Sequence, residues 1–281
     1  MPTFTTPGPL DLAVDIGSGA LEVVAGDRED TVVTVSPTSP DKEADRRGAA
    51  GTTVQLDGGR LTVLTPKPRF SLVGPGESVD VRVELPTGSR LTAEVASGSV
   101  RTSGRLGATR VKAASGKAVL GTTGDLWLRA GHGAATVETA EGDVEITADH
   151  GQIKVGRIAG HAVLKASHGN VVVGESGGDL EARLSYGDLE IDRALGSVSA
   201  RTAYGSITLA EVTTGTVEAE SGYGEVVVGV RAGVAAWLDL ASKNGRVRNA
   251  LDGDRAPGAG EPSVAVRVRT QFGDVEVRRA S

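Results

Sequence analysis

Three of the four histidines and all three tyrosines of this 281-residue chain fall in one repeating position. The residue before alternate glycines reads Ser97, Ser115, His132, His150, His168, Tyr186, Tyr204, Tyr223 and Asn244. Imidazoles on successive rungs of a repeat are the one constellation here suited to metal chemistry, because neutral His nitrogens ligate zinc and copper. His132, His150 and His168 are therefore the candidate metal ligands. Their neighbours Gly131, Asp149 and Ser167 offer at most one carboxylate to complete a shell. The competing reading is a ladder of like side chains stacked along an edge. That reading is adopted here, with no metal, no cofactor and no catalytic residue assigned.

Two further patterns could carry chemistry. Gly-Asp recurs at Gly124-Asp125, Gly142-Asp143, Gly178-Asp179 and Gly187-Asp188. It suggests the calcium β-roll, but the paired glycines and spaced aspartate of that repeat are missing, and calcium needs six or more converging oxygens. Asp stabilising a turn is the simpler reading. Asp143 and Asp179, roughly two rungs apart, are the one acid pair that a carbohydrate-active solenoid could use.

The element that must position these residues is a glycine rhythm. Glycines stand at 98, 107, 116, 124, 133, 142, 151, 160, 169, 178, 187, 196, 205, 215, 224 and 233, almost every step being nine residues. After alternate glycines, positions +2 and +4 hold pairs such as Ile153/Val155, Val171/Val173 and Leu189/Ile191. After the intervening ones, positions +2, +4 and +6 hold sets such as Val144/Ile146/Ala148 and Val198/Ala200/Thr202. Side chains alternate faces along a strand, so each set points one way. A nine-residue unit is a short strand and a turn, and it cannot bury its apolar face alone. Stacking at ~4.8 Å per rung makes those faces continuous. The fold class is all-β: a parallel β-solenoid (β-helix) of about 18 residues per coil, two-sided, with right-handed winding as the default for parallel crossovers.

Around this core the chain divides into 1–90, an N-terminal β region continuing into or capping the solenoid; 91–250, the regular solenoid; and 251–281, a loop and a C-terminal capping coil. Residues 36–51 read as a polar loop, with at most a short helix around Asp41–Arg47. Asp57-Gly58-Gly59 reads as a hairpin turn, and Pro66 to Gly76 as a second loop.

Composition narrows the function. Forty glycines and eight aromatic residues describe thin cores of short aliphatic side chains. A net charge of −6 with both signs interspersed gives no general attraction to nucleic acid or anionic membrane. There is no cysteine, hence no disulfide or thiolate site. No stretch approaches the ~18 apolar residues of a membrane span. The N-terminus lacks a signal-peptide pattern, which makes a cytoplasmic location the expectation, or a surface one if a leader is removed. Outward positions give a basic stripe, Lys112, Arg129, Lys165, Arg183 and Arg201, beside an acidic one. It could hold an acidic polymer, but cross-strand pairing on a solvated sheet is the plainer expectation.

The runs Val81-Arg82-Val83-Glu84-Leu85-Pro86-Thr87-Gly88-Ser89, Ala96-Ser97-Gly98-Ser99-Val100 and Ala140-Glu141-Gly142-Asp143-Val144-Glu145-Ile146 resemble the bacterial "putative-adhesin" family of β-strand repeat proteins, a domain of unknown function. The resemblance covers most of the chain and implies a non-enzymatic solenoid. The functional expectation is a structural or interaction module presenting a ladder surface to a protein partner or to itself. A carbohydrate- or polymer-binding adhesin-like module is the alternative, with glycan as its ligand; a carbohydrate-active enzyme comes third.

Overall fold

The computed structural model describes residues 1–66, 77–251 and 262–280. The chain forms two compact units, Met1–Glu138 and Thr139–Ser281, with the boundary falling inside one strand.

The first unit contains β1 (Thr3–Thr5), β2 (Asp11–Gly26), β3 (Asp30–Pro37), α1 (Glu43–Gly51), β4 (Thr53–Asp57), β5 (Arg60–Leu64), β6 (Val79–Pro86), β7 (Arg90–Ser103), β8 (Thr109–Ser115), β9 (Ala118–Thr123), β10 (Leu126–His132) and the start of β11 (Ala135–Ala140). The long β2 runs through both sides of one coil. Along one edge it pairs in parallel with β5 and then β6, and along the other with β7. Parallel stacking continues from β7 to β8 and β9, and from β8 to β10. Beyond β6 the pattern changes: β3 lies antiparallel on β6, β1 antiparallel on β3, and β4 closes a hairpin on β5 through the expected 57–59 turn. These strands cover an edge that a bare coil would leave open to unwanted pairing.

Within residues 36–51, the short helix allowed around Asp41–Arg47 is formed as α1, extended to Gly51, so less of this stretch is loop than expected. Its Asp45, 2% exposed, accepts N–H bonds from Ser39 at 3.1 Å and Ser78 at 2.9 Å. Both donors lie outside the helix, so local propensity could not announce them. Of the proline-containing second loop expected at 66–76, residues 67–76 lie outside the described residues.

The second unit contains the rest of β11, then β12 (Val144–His150), β13 (Ile153–Ile158), β14 (Ala162–His168), β15 (Val171–Ser176), β16 (Leu180–Tyr186), β17 (Leu189–Ala194), β18 (Val198–Tyr204), β19 (Ile207–Val212), β20 (Gly215–Tyr223), β21 (Val226–Val230), β22 (Ala235–Asn244), β23 (Val247–Ala250), β24 (Ser263–Phe272) and β25 (Val275–Arg279). Each coil contributes two strands, and from β12 to β19 each strand pairs in parallel with its equivalent eighteen residues on, as in Val144↔Ala162 and Leu189↔Ile207, the step becoming nineteen at Val198↔Val217 and Ile207↔Val226. This is the parallel β-solenoid read from the glycine rhythm. The inward sets are buried, Ile146, Ala182, Ile191 and Leu209 all at 0%.

One inward column escaped the sequence pattern. In β13, β15, β17 and β19 two consecutive outward residues are followed by a buried one: Ile158, Ser176, Ala194 and Val212. The double step bends the strand, and strict alternation cannot reveal it.

The last coil is not the terminal rung. β24 pairs with β20 on one edge and β22 on the other, and β25 sits likewise between β21 and β23. The expected capping role of 251–281 is thus taken by β22 and β23. Their outward and inward positions are only partly covered, with Trp237 at 64% and Val247 at 45% exposure. The valines of β24, Val264, Val266 and Val268, are buried to 1% or less. Burying the more apolar strand inside and leaving β22 at the end follows the ordinary area-proportional gain of apolar burial.

Candidate functional site

Each corner of the second unit carrying the His and Tyr column is set by a glycine. Gly205, at φ 147°, is representative. A Cβ there would stand 2.0 Å from the carbonyl oxygen of Gly187 on the rung below. Its own N–H donates to Tyr223 O at 2.8 Å on the rung above. Inside the corner, hydroxyls replace the apolar residues of earlier rungs. Thr202, Ser221 and Thr270 donate to the carbonyls of Gly187, Gly205 and Gly224 at 3.3, 2.9 and 3.2 Å. Each of these three buried hydroxyls therefore has its partner.

The Asp after a corner glycine has an equally local task. The Oδ1 atoms of Asp143, Asp179, Asp188 and Asp274 accept the backbone N–H of His161, Ser197, Ser206 and Arg246, each at 2.8 Å. In the first three the donor is eighteen residues on. Gly-Asp is an inter-rung staple. Among the described residues no group of three or more His, Cys, Asp or Glu is arranged to hold a metal ion.

With the corners so fixed, the side chains before them stack. His150, His168, Tyr186, Tyr204, Tyr223 and Phe272 form a continuous ladder, with ring centroids 4.8, 5.0, 5.0, 4.9 and 4.7 Å apart and interplanar angles of 8° or less. The stacking reading of the column holds for these residues. Phe272, and not Asn244, follows Tyr223, because β24 is inserted there. Asn244 comes one rung later, opposite Phe272. Phe272 was missed by counting along the chain, yet its signature was visible: Phe272-Gly273-Asp274 repeats Tyr186-Gly187-Asp188.

The stacking also sets how the ring nitrogens of His150 and His168 are disposed. Two imidazoles sharing a tetrahedral zinc at ~2.05 Å bring their nitrogens to roughly 3.4 Å with converging lone pairs. His150 and His168 are 2° from parallel at 4.8 Å, so their in-plane lone pairs run side by side. His132 ends β10 in the first unit, in register with Ser115.

Stacking covers ring faces and leaves edges and phenol hydroxyls in solvent. Tyr186, Tyr204, Tyr223 and Phe272 are 43–50% exposed. Three residues before each ring, the outward column reads Thr147, Lys165, Arg183, Arg201, Glu220 and Arg269 in register. Between the two columns lie small side chains, Ser167, Ser185, Ala203 and Gly222. Where Arg201, Tyr204, Tyr223, Lys243 and Arg269 converge, the trough opens into a hollow of about 680 Å³.

The opposite side looks different. Arg157, Glu175, Arg193 and Glu211 alternate in sign on successive rungs, linked at 3.2, 3.3 and 3.4 Å. The charge pairing expected beside the basic stripe also occurs, at Lys165–Glu145 (3.5 Å) and Arg201–Glu220 (3.2 Å). In the first unit Lys112 pairs with Glu94 at 3.7 Å, and the Arg110 guanidinium lies 3.7 Å over the Trp127 ring.

These features define a glycine-cornered parallel β-solenoid with an exposed aromatic edge. Residues 11–278 match the Toastrack DUF4097 family model, and the chain belongs to that family. No curated protein matches it. Among solved structures it is similar to a "putative adhesin" (BF0245) from Bacteroides fragilis, at 10% identity and TM-score 0.36, covering 98% of this chain and 95% of that one. A second, from Parabacteroides distasonis, gives 11%, 0.34, 98% and 95%. A "putative cell adhesion protein" from Clostridium sporogenes gives 11%, 0.21, 99% and 98%. Among the described residues no helix is long and apolar enough to cross a membrane.

Proposed function

We propose that the chain is a non-enzymatic interaction module whose aromatic edge is the face it presents to a protein partner. The observation carrying this is the ladder itself: four large rings, 43–50% exposed, in consecutive register. Exposed aromatic rows offer large, rigid contact area at low entropic cost and are the residue types that anchor protein interfaces. Lys165, Arg183 and Arg201 sit on successive rungs beside it. Like charges directly opposite are unfavourable in a sheet, and the other side avoids them by alternation. A glycan reading is less well served, since a sugar stacks on ring faces and here neighbours occupy them. The acids Asp143 and Asp179 are engaged as turn acceptors, which favours the non-enzymatic reading.

The test is affinity capture from a native lysate with the wild-type chain and with Tyr204→Ser/Tyr223→Ser. Proteins retained by the first and lost by the second, with both chains folded by circular dichroism, are the expected result. Identical capture by the two would sink the reading.

A further inference from the structure

All three tyrosines of the chain stand on consecutive rungs of one column, a placement that bears on one-electron chemistry as much as on recognition. Tyr186, Tyr204 and Tyr223 are Cα partners in parallel register, with ring centroids 5.0 and 4.9 Å apart and planes within 4° of parallel. In such a stack equivalent ring atoms recur at about the ~4.8 Å rung spacing, so each ortho carbon (Cε) has its counterpart on the next ring. The rings are 47–50% exposed, which lets an oxidant reach their edges. Exposed side chains change rotamer in picoseconds to nanoseconds, and ring tilt, rather than backbone movement, closes the remaining gap.

The surroundings neither quench nor divert a radical formed there. The chain has no cysteine to reduce it, and its one methionine is Met1. His168 flanks Tyr186 and Phe272 flanks Tyr223, and neither ring is oxidised as readily as a phenol. Trp237 lies in another column, in register with Ala265, and Trp127 belongs to the first unit. An electron vacancy on any of the three phenols is therefore held among them.

We propose that Tyr204 is an oxidative cross-linking site, which couples to Tyr186 or Tyr223 and ties neighbouring rungs of the second unit covalently. The co-reactant is a one-electron oxidant, such as the oxidised haem of a peroxidase acting with hydrogen peroxide. Each phenol gives one electron to the oxidant and its hydroxyl proton to water, leaving a phenoxyl radical with spin on its ortho carbons. Two adjacent radicals then form one Cε–Cε bond. The hydrogen on each bonded carbon moves as a proton, through water, to the oxygen of its own ring, restoring two phenols. Two electrons and two protons leave per link, and one hydrogen peroxide that takes them up, with its own two hydrogens, becomes two waters. Holding both partners in one stack makes the coupling intramolecular, at an effective concentration that diffusing chains do not reach. The link does not depend on a partner being bound at this edge.

The experiment exposes the full chain to a haem peroxidase and hydrogen peroxide, with N-acetyltyrosinamide oxidised in parallel as a positive control. The expected product has dityrosine fluorescence, runs as a single chain on a denaturing gel and is lighter by two hydrogens, with a yield per chain unchanged on dilution. Trypsin maps the link, because it cuts after Arg193 and Arg201 between Tyr186 and Tyr204 but leaves Tyr204 and Tyr223 in one peptide ending at Arg231. Tyr204→Phe keeps a ring in the stack but leaves Tyr186 and Tyr223 two rungs apart, roughly 9.6 Å. It should lower the intramolecular link by about tenfold or more, whereas Tyr186→Phe retains the Tyr204–Tyr223 pair and should still couple. Unlinked chain under conditions that couple the control, dityrosine found only between chains, or equal yields from Tyr204→Phe and the wild type would each overturn the proposal.

Discussion

Gly205 sits where two demands meet. Its φ of 147° lies in a region that L side chains rarely adopt, and any Cβ would approach the Gly187 carbonyl oxygen at 2.0 Å. Gly187 itself, at φ 142°, would place a Cβ 2.2 Å from Gly169 O. The rungs cannot move apart to accommodate a methyl, because each N–H at this corner is bonded to the rung above. Gly205→Ala is therefore expected to cost at least the ~1–3 kcal/mol of a strained backbone position. Urea unfolding of the two proteins measures it; an unchanged midpoint would show that the corner is softer than its geometry. Ring stacking should loosen with it, because Tyr204 immediately precedes the corner. These corners were legible in the chain, since a nine-residue glycine period has few other physical causes. The polar column beneath them was legible as Thr202 and Ser221 but not as hydrogen-bond donors, because their acceptors are carbonyls fifteen and sixteen residues away.

At the scale of strands, charge rather than apolar pattern distinguishes one edge from another. In the first unit, Arg28 joins Asp30 at the start of β3 to Glu84 of β6, and Arg82 joins Glu84 to Glu22 of β2. Hydrogen bonds from Arg28 and then Arg82 hold the Glu84 carboxyl below its ordinary value of 4.5, and Arg28 lowers Asp30 in the same way. A carboxyl with a depressed folded pKa stabilises the fold above its unfolded pKa. That contribution is lost as pH falls through the folded value. Stability should thus decline on acidification below about pH 4.5, and less steeply in Glu84→Gln. Denaturation midpoints across about pH 3 to 6 decide this, and equal slopes in the two proteins would exclude Glu84 as a contributor. Such networks were only half visible beforehand. Outward positions followed from alternation, so the stripe Lys165, Arg183 and Arg201 could be read directly. The Arg157–Glu175–Arg193–Glu211 ladder could not, because it lies past the bend where two outward residues follow one another. Helix α1 was legible only as a short helix around Asp41–Arg47, for a related reason: Asp45 is anchored by backbone groups on either side of it in the chain.

At the scale of each whole unit, chain order and spatial order part company. In the first, β2 lies inside β5 and β6; in the second, β24 lies inside β22. Repeat counting predicts neighbours only while the chain steps by one rung, so it found the coils and misplaced the last one. The insertion supplies Phe272 and Arg269 to the candidate site. It also changes what truncation means. In a simple tandem array, deleting the last coil leaves a shorter array. Here a chain ending at Ala250 loses the strands to which β22 and β23 are bonded among the described residues. It should show increased aggregation on size exclusion and a loss of β signal exceeding the residues removed. A cleanly monomeric, proportionately shorter fold would contradict the inserted order. A ribosome makes β22 and β23 before β24 exists, so the open edge of β20 is on offer to the wrong strand for as long as residues 251–272 are still emerging. Until then neither the sixth ring, Phe272, nor Arg269 is in place, and an interrupted translation product would carry the repeat without the completed aromatic edge.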